Sequence, residues 1–147
     1  MSTEGKLHKA MMVLRILFAW FFIYAGLTKI FNPHYSAVSF LLGSKVFTPL
    51  YHWFASSTMI GFINFTSEWL ILALGVFILF GFLPKWTAWV GFVLMFLFYF
   101  PKLNPFPFVQ NGFLVNDDIF YAVVFLVLLY SGTYQRWNWK HLIGKKA

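Results

Sequence analysis

Charges in this chain lie between long apolar runs and hardly ever inside them. Of the 147 residues, 61% are hydrophobic and 10% are charged, whereas a soluble domain has roughly 25% charged residues. Long uncharged runs of this kind are typical of helices that are surrounded by lipid. The sequence therefore predicts an integral membrane protein whose main surrounding is the lipid bilayer, and a chain of this length has room for one small domain.

Four apolar runs are predicted to cross the membrane as helices. The last three are shorter than the roughly 20 residues of an untilted span, a mismatch that local thinning of the bilayer accommodates. A tight antiparallel hairpin at 83–86 joins the second run to the third, because proline is tolerated at the start of a helix. The fold class is thus an all-α membrane protein, a four-transmembrane-helix bundle forming one domain over 1–147. The predicted spans cover about 10–31, 65–83, 86–100 and 117–134.

The segment 32–64 is the exception among the apolar regions. Its hydrophobic content is high, but Lys45, Pro49 and His52 interrupt it. This pattern predicts one or two short interfacial helices in the loop between spans 1 and 2, over the mouth of the bundle. A fifth span is the alternative interpretation.

Basic residues predict the orientation of the chain. With four spans, eight of the eleven Lys and Arg residues fall on the side of the N-terminus and three on the other side. The positive-inside rule then places both termini in the cytoplasm. The first apolar run lacks a small-residue cleavage site and is expected to be a retained anchor. No nucleic-acid partner is expected, because no motif of that class accompanies the positive charge.

Three charged residues at the predicted outer ends of the spans are candidate catalytic residues. Lys29 ends the first span, Glu68 opens the second, and Asp118 lies in the first turn of the fourth. Ionisable residues of a membrane bundle are the default candidates for function. We expect Glu68 to pair with Lys29, and Gly75, on the same stripe as Glu68, to lie at a close helix contact. For Asp118 and its neighbour Asp117 the helix dipole, worth about 0.3–1 kcal/mol, is an alternative explanation.

Five further residues are candidates for binding a cofactor. Arg15 lies near the start of the first span, and His34 and His52 fall in the outer segment. Trp20 and Tyr24 belong to an aromatic face that suits a flat hydrophobic ligand such as a quinone. A belt of lipid-facing aromatic residues is the alternative explanation for these two.

Metal ions and protein-held redox groups are not expected. A metal site needs three or four convergent ligands, and the spacing of the histidines and acids does not require them to converge. The chain has no cysteine, which removes thiolate metal sites and iron–sulfur ligation from chemistry that this chain carries alone.

Short motifs in three predicted spans resemble the DoxX/DoxD family of small four-helix membrane proteins. The resemblance covers most of the chain except residues 32–64. The motifs are Arg15 with Tyr24-Ala-Gly-Leu-Thr-Lys29-Ile-Phe, Glu68 with Gly81-Phe-Leu-Pro-Lys-Trp, and Val115-Asn-Asp-Asp-Ile-Phe-Tyr-Ala with Ser131-Gly-Thr-Tyr.

The resemblance implies a function as well as a fold. DoxD members are subunits of a thiosulfate:quinone oxidoreductase, which implies a membrane subunit of a respiratory or sulfur-oxidising redox complex that interacts with quinone, in the cytoplasmic membrane of a prokaryote. Arg15, Lys29, Glu68 and Asp118 match the family's charged positions. The alternatives are a non-catalytic accessory subunit that anchors or stabilises a larger membrane complex, and a small carrier or assembly factor. The chain is not expected to be catalytic alone.

Overall fold

A computed structural model of the protein describes residues 2–104, 108–109, 112–136, 140 and 144, and shows a mostly helical chain. Within these residues four long helices pack against one another, and three short helices accompany them. The helices are α1 (Thr3–Ile30), α2 (Val38–Leu42), α3 (Thr48–Phe54), α4 (Ile60–Phe80), α5 (Pro84–Tyr99), α6 (Asp117–Tyr130) and α7 (Thr133–Arg136).

Helices α1 and α4 run antiparallel and approach closely at two glycines. A Cβ atom on Gly75 would lie 2.6 Å from the backbone nitrogen of Ile23, and one on Gly26 would lie 2.7 Å from the backbone nitrogen of Leu72. Only glycine allows the two backbones to come so near, which is the usual way that helices pack inside a membrane. The predicted close contact at Gly75 is confirmed.

Helices α5 and α6 form the second pair, and a cluster of aromatic rings joins it to α1. The ring of Phe125 on α6 packs over Gly91 of α5. On its other side it meets Phe18 and Phe22 of α1, with centroid distances of 5.0 and 5.3 Å. All three phenylalanines are buried. They belong to one cluster with Ile71 of α4 and Leu94 of α5, so the four helices share one hydrophobic core.

Two helices within the described residues, α1 and α4, are long and apolar enough to cross a membrane. Helix α5 has 16 residues and α6 has 14, which gives lengths of about 24 and 21 Å. A bilayer core is about 30 Å thick. Membrane-type helices are therefore present, whereas the crossing of the membrane by all four long helices stays a prediction.

Helix boundaries differ from the predicted spans at several ends. Helix α4 begins at Ile60, five residues before the predicted 65, and α6 ends at Tyr130 rather than 134. The early end of α6 is followed by Gly132, whose φ of +71° turns the chain into α7. Helices α4 and α5 are joined by the predicted tight connection, in which Gly81 and Leu83 both adopt the left-handed conformation.

The segment 32–64 folds into α2, α3 and the first turn of α4, and not into a fifth long helix. Tyr51 of α3 is buried and donates a hydrogen bond to the carbonyl oxygen of Leu97 on α5, at 2.9 Å. The backbone nitrogen of Ala37 donates to the side-chain oxygen of Asn64, at 3.0 Å. These bonds hold the two short helices over the end of the bundle. Their position in the membrane interface stays a prediction.

The connection after α5 contains a small strand pair that the sequence did not predict. A 3-10 turn over Phe100–Lys102 leads to two antiparallel strands, β1 (Phe108–Val109) and β2 (Gly112–Phe113). The rings of Phe108 and Phe113 pack across the pair, 5.7 Å apart. Such a two-residue ladder has no alternating pattern long enough to be recognised in a sequence, and it is the one described departure from the all-α prediction.

Candidate ligand-binding site

At the end of the bundle where α4 ends, Arg15 of α1 is almost fully buried, with 1% of its surface exposed. Its Nε donates to the carbonyl oxygen of Ile78 at 2.7 Å, and its Nη2 donates to that of Leu79 at 3.2 Å. Its Nη1 donates to the carbonyl oxygen of Thr133 at 3.0 Å, and the guanidinium carbon lies 4.5 Å from the ring centroid of Tyr134.

These contacts assign Arg15 a structural role. The last carbonyl groups of a helix have no partner within the helix and form the negative end of its dipole. The planar guanidinium supplies several donors in fixed directions, so one side chain caps α4 and ties it to α1 and α7. Arg15 was a predicted cofactor-binding candidate, but it does not line the cavity that lies at the opposite end of the bundle.

A cavity of about 480 Å³ lies at the opposite end of the bundle, between α4 and α5 and under α2 and α3. We call it the outer cavity, because it lies at the end of the bundle that is predicted to face outward. Its walls are mostly apolar, and its charged groups are two lysines, one from the end of α1 and one from the 3-10 turn. The lining residues are Lys29, Tyr35, Ser36, Ala37, Phe40, Leu41, Tyr51, Phe54, Ile63, Thr66, Ser67, Leu70, Leu94, Leu97, Phe98 and Lys102.

The charged residues that line the outer cavity lie at the end of the bundle. Lys29, Tyr35 and Lys102 come from the chain segments at the bundle's end, whereas Leu70 and Leu94 lie further along α4 and α5. Mostly apolar walls with a few charged groups suit a ligand with a polar head and an apolar body, which is the usual character of a small-molecule site.

Lys29 pairs with a tyrosine and not with Glu68. Its Nζ lies 3.1 Å from the hydroxyl oxygen of Tyr35, to which it donates, and 4.3 Å from the centroid of that ring. The chain turns sharply at Asn32, whose nitrogen donates to the Lys29 carbonyl, and this turn brings Tyr35 back over the end of α1. The predicted Glu68–Lys29 pair is therefore wrong: Glu68 makes no ion pair with Lys29, and its neighbour Ser67 is the residue that lines the cavity.

Lys102, like Tyr35, is a site residue that the sequence did not predict. Its Nζ lies 2.7 Å from a carboxylate oxygen of Asp118 and 3.6 Å from one of Asp117. The Asp118 side chain is 5% exposed and also accepts a hydrogen bond from Asn116 Nδ2, at 3.0 Å. The sequence position of Lys102 could have predicted this ion pair. Pro101-Lys102 follows α5 at the same end of the bundle where Asp117 and Asp118 begin α6.

A second cavity of about 460 Å³ adjoins the outer cavity. Phe40 and Lys102 line both cavities and therefore form part of the wall between them. In the second cavity the Nζ of Lys45 contacts the side-chain oxygen of Asn104. Lys102, held by Asp118, thus stands between a more polar space and a more apolar one.

The remaining predicted residues lie away from the outer cavity. His34 and His52 are exposed, and the Nε2 of His52 lies 3.2 Å from the carbonyl oxygen of Leu42. Trp20 and Tyr24 point outward from α1, with 64% and 61% of their surfaces exposed. In the described part of the chain, no three His, Asp or Glu side chains meet in a group that would hold a metal.

Tyr51 of the outer cavity stays neutral over an unusually wide pH range. Burial raises its pKa to about 12, because the phenolate would be cut off from water. The hydroxyl therefore remains the donor that joins α3 to the Leu97 carbonyl at any physiological pH.

The apolar helices define a helical membrane protein, and its described residues form a cavity lined by two lysines at one end of the bundle. The chain belongs to the DoxX family, whose sequence model matches residues 10–101. No curated protein and no solved structure matches the chain. The family match runs through residues 32–64, which the short motifs had left outside the resemblance, and ends before the motifs of α6.

Proposed function

We propose that this chain is a membrane subunit of a respiratory or sulfur-oxidising redox complex, and that a quinone head binds in the outer cavity. The observation that carries the proposal is the shape and chemistry of this cavity. Its volume of about 480 Å³ lies in the range of roughly 300–1,000 Å³ that is usual for small-molecule sites. Membership of the DoxX family is consistent with a subunit of this kind.

The residues at the polar end of the cavity suit the carbonyl oxygens of a quinone. Lys29 and Tyr35 lie together there, and the Nζ of Lys29 carries donors beyond the one that it gives to Tyr35. Lys102 lines the same cavity, with Asp118 as the residue that positions it. In this proposal the electrons come from another subunit, and the present chain binds and orients the quinone.

A cavity-filling variant tests the quinone proposal. Leu70→Trp adds a large ring to the cavity wall, and Val93→Trp makes a comparable change at an exposed position of α5. Both proteins are purified from native membranes in a mild detergent, and the quinone that remains bound is extracted and quantified. We expect Leu70→Trp to lose most of the quinone and Val93→Trp to retain it. Equal retention in the two variants, or no quinone in the unmodified protein, would refute the proposal.

A non-catalytic anchoring subunit is the second candidate function. It is favoured by the structural use of the charges, since Arg15 binds backbone carbonyls and Asp118 binds Lys102. The two proposals differ for Lys29→Met, which under the first reduces quinone-linked activity in an assembled complex and under the second reduces the yield of the complex. Mass spectrometry of the proteins that copurify with each variant measures this difference.

We further propose that all four long helices cross the cytoplasmic membrane of a prokaryote, with both termini in the cytoplasm. The absence of cysteine allows single cysteines to be labelled without background. Cysteines at Ser2 and Lys85 should react only with a reagent on the cytoplasmic side, and one at Lys45 only from outside. Labelling of the Ser2 and Lys85 positions from opposite sides would contradict this topology.

A further inference from the structure

We infer that the outer cavity selects ligands whose head carries a negatively charged oxygen on an apolar body. The inference rests on the proposed function only in placing the ligand in this cavity, and it does not require a redox role. It concerns the charge of the head group, which the quinone proposal leaves undetermined.

The charge balance around the cavity is the first argument. Lys29 is half-buried, and its partner there is the neutral hydroxyl and ring of Tyr35. Lys102, by contrast, already has two carboxylates. Among the described lining residues there is no acid. An ammonium group that is partly removed from water is costly unless an opposite charge is near, so an anionic oxygen from the ligand would complete the site at Lys29.

The distribution of polar and apolar lining is the second argument. Most of the other lining side chains are apolar, among them Leu70, Leu94 and Phe98. Each methylene group that a ligand buries against these side chains strengthens binding through the hydrophobic effect. A small hydrophilic anion would forgo this contribution, whereas an amphiphile uses both ends of the cavity.

Two kinds of molecule share this chemistry. One is an acidic quinone, in which a ring hydroxyl is ionised, and the other is a single-chain lipid with a carboxylate head. Both place one anionic oxygen next to Lys29 and an apolar body between α4 and α5. The experiment therefore compares each acid with its neutral counterpart.

The test measures dissociation constants of the full-length protein in non-ionic detergent for four probes. They are oleate, methyl oleate, a hydroxynaphthoquinone and its methyl ether. We expect each acid to bind at least tenfold more tightly than its neutral counterpart. Lys29→Met should reduce that ratio to about one, and Lys29→Arg should preserve it. Lys85→Met, which removes an exposed lysine from the opposite end of the bundle, is the matched control and should leave the ratio unchanged.

Two results would overturn the inference. One is equal binding of the acids and their neutral counterparts to the unmodified protein, a comparison that needs no variant to fold. The other is an acid preference that survives Lys29→Met. The outcomes also separate this inference from the quinone proposal. Tight binding of oleate with none of either naphthoquinone supports the inference and refutes the quinone site, whereas equal binding of both naphthoquinones refutes the inference and supports the quinone site.

Discussion

The two ends of the helical bundle use a basic residue of the same helix in opposite ways. Arg15 is buried and donates hydrogen bonds to three backbone carbonyls, two at the end of α4 and one at the first residue of α7. Lys29, fourteen residues later, is half-buried at the edge of a cavity, and its partner is a single tyrosine. One cation completes the fold, and the other lies where a ligand has access to it.

The difference shows that a charge in a membrane bundle is not sufficient to indicate a ligand site. Intramembrane charges are the default candidates for function, yet the more deeply buried of these two is the one that the protein itself satisfies. What distinguishes Lys29 is the adjoining cavity and the lack of an acid among the described residues that line it. The following substitutions test this contrast.

The largest effect is expected for Arg15→Met, which keeps most of the side-chain volume and removes the guanidinium. Two buried carbonyl groups and one partly buried carbonyl group then lose their donor, which should lower the free energy of unfolding by about 3–5 kcal/mol. Denaturant unfolding in detergent micelles measures this change. Arg15→Lys should recover only part of it, because one compact ammonium cannot reach all three carbonyls. A loss below about 1 kcal/mol would show that Arg15 is not a structural residue.

The second prediction concerns the contact between α1 and α4, because α1 carries both Arg15 and Lys29. A Cβ atom at Gly75 would meet backbone atoms of α1, so Gly75→Ala should destabilise the protein by about 1–3 kcal/mol. Gly61→Ala is the matched control on the same helix, since a Cβ there meets nothing within 4 Å, and it should change stability by less than about 0.5 kcal/mol. Thermal unfolding of the two variants gives the comparison, and equal losses would contradict it.

The helices could be predicted from sequence because their signal is local. Uninterrupted apolar runs mark the four long helices, and Lys45 and Pro49 mark the break that produces α2 and α3. Gly75 could be assigned to a helix contact from its stripe alone. The ends of α4 and α6 were predicted less accurately, because α4 begins at Ile60 and continues through the polar Asn64, and because Gly132 ends α6 through a turn.

The partners of the charged residues could not be predicted, because they depend on how loops return to the bundle. Opposite charge suggested that Lys29 pairs with Glu68, but the turn at Asn32 brings Tyr35 to Lys29 first. Asp118 pairs with Lys102 for a similar reason, since the 3-10 turn carries that lysine to the start of α6. Neither the turn at Asn32 nor the 3-10 turn that carries Lys102 has a periodic pattern in the sequence from which its path could be predicted.

The third prediction tests whether the ion pair beside the outer cavity is structural, as Arg15 is. Asp118→Asn leaves Lys102 with only the more distant carboxylate of Asp117, which should cost about 1–3 kcal/mol of stability. Asp117→Asn, at a side chain that is 60% exposed, should cost less than about 0.5 kcal/mol. Chemical denaturation of both variants at one ionic strength measures the difference, and the prediction fails if Asp117 matters more.

A smaller effect is expected at Tyr51, which fastens α3 over the cavity. Tyr51→Phe removes the hydrogen bond to the Leu97 carbonyl and should cost about 1 kcal/mol. Because the folded-state pKa of Tyr51 is about 12, above the value of about 10 for an unfolded tyrosine, its stabilising contribution is present below about pH 10. It is lost as the pH rises towards 12. The stability difference between the two proteins should therefore shrink in this window, and a constant difference would argue against the raised pKa.

The smallest effect on stability is expected for Lys29→Met, the counterpart of Arg15→Met at the other end of α1. The substitution removes one hydrogen bond and a cation–π contact of about 0.5–1 kcal/mol with Tyr35. It also removes the cost of holding an ammonium group partly away from water, so the net change should stay within about 0.5 kcal/mol. The same unfolding assay that is used for Arg15→Met measures it. A loss as large as that of Arg15→Met would mean that both cations are structural, and the contrast between the two ends would disappear. A loss of stability near zero for Lys29→Met would mean that the fold does not depend on the Lys29 ammonium, which is then available for a ligand.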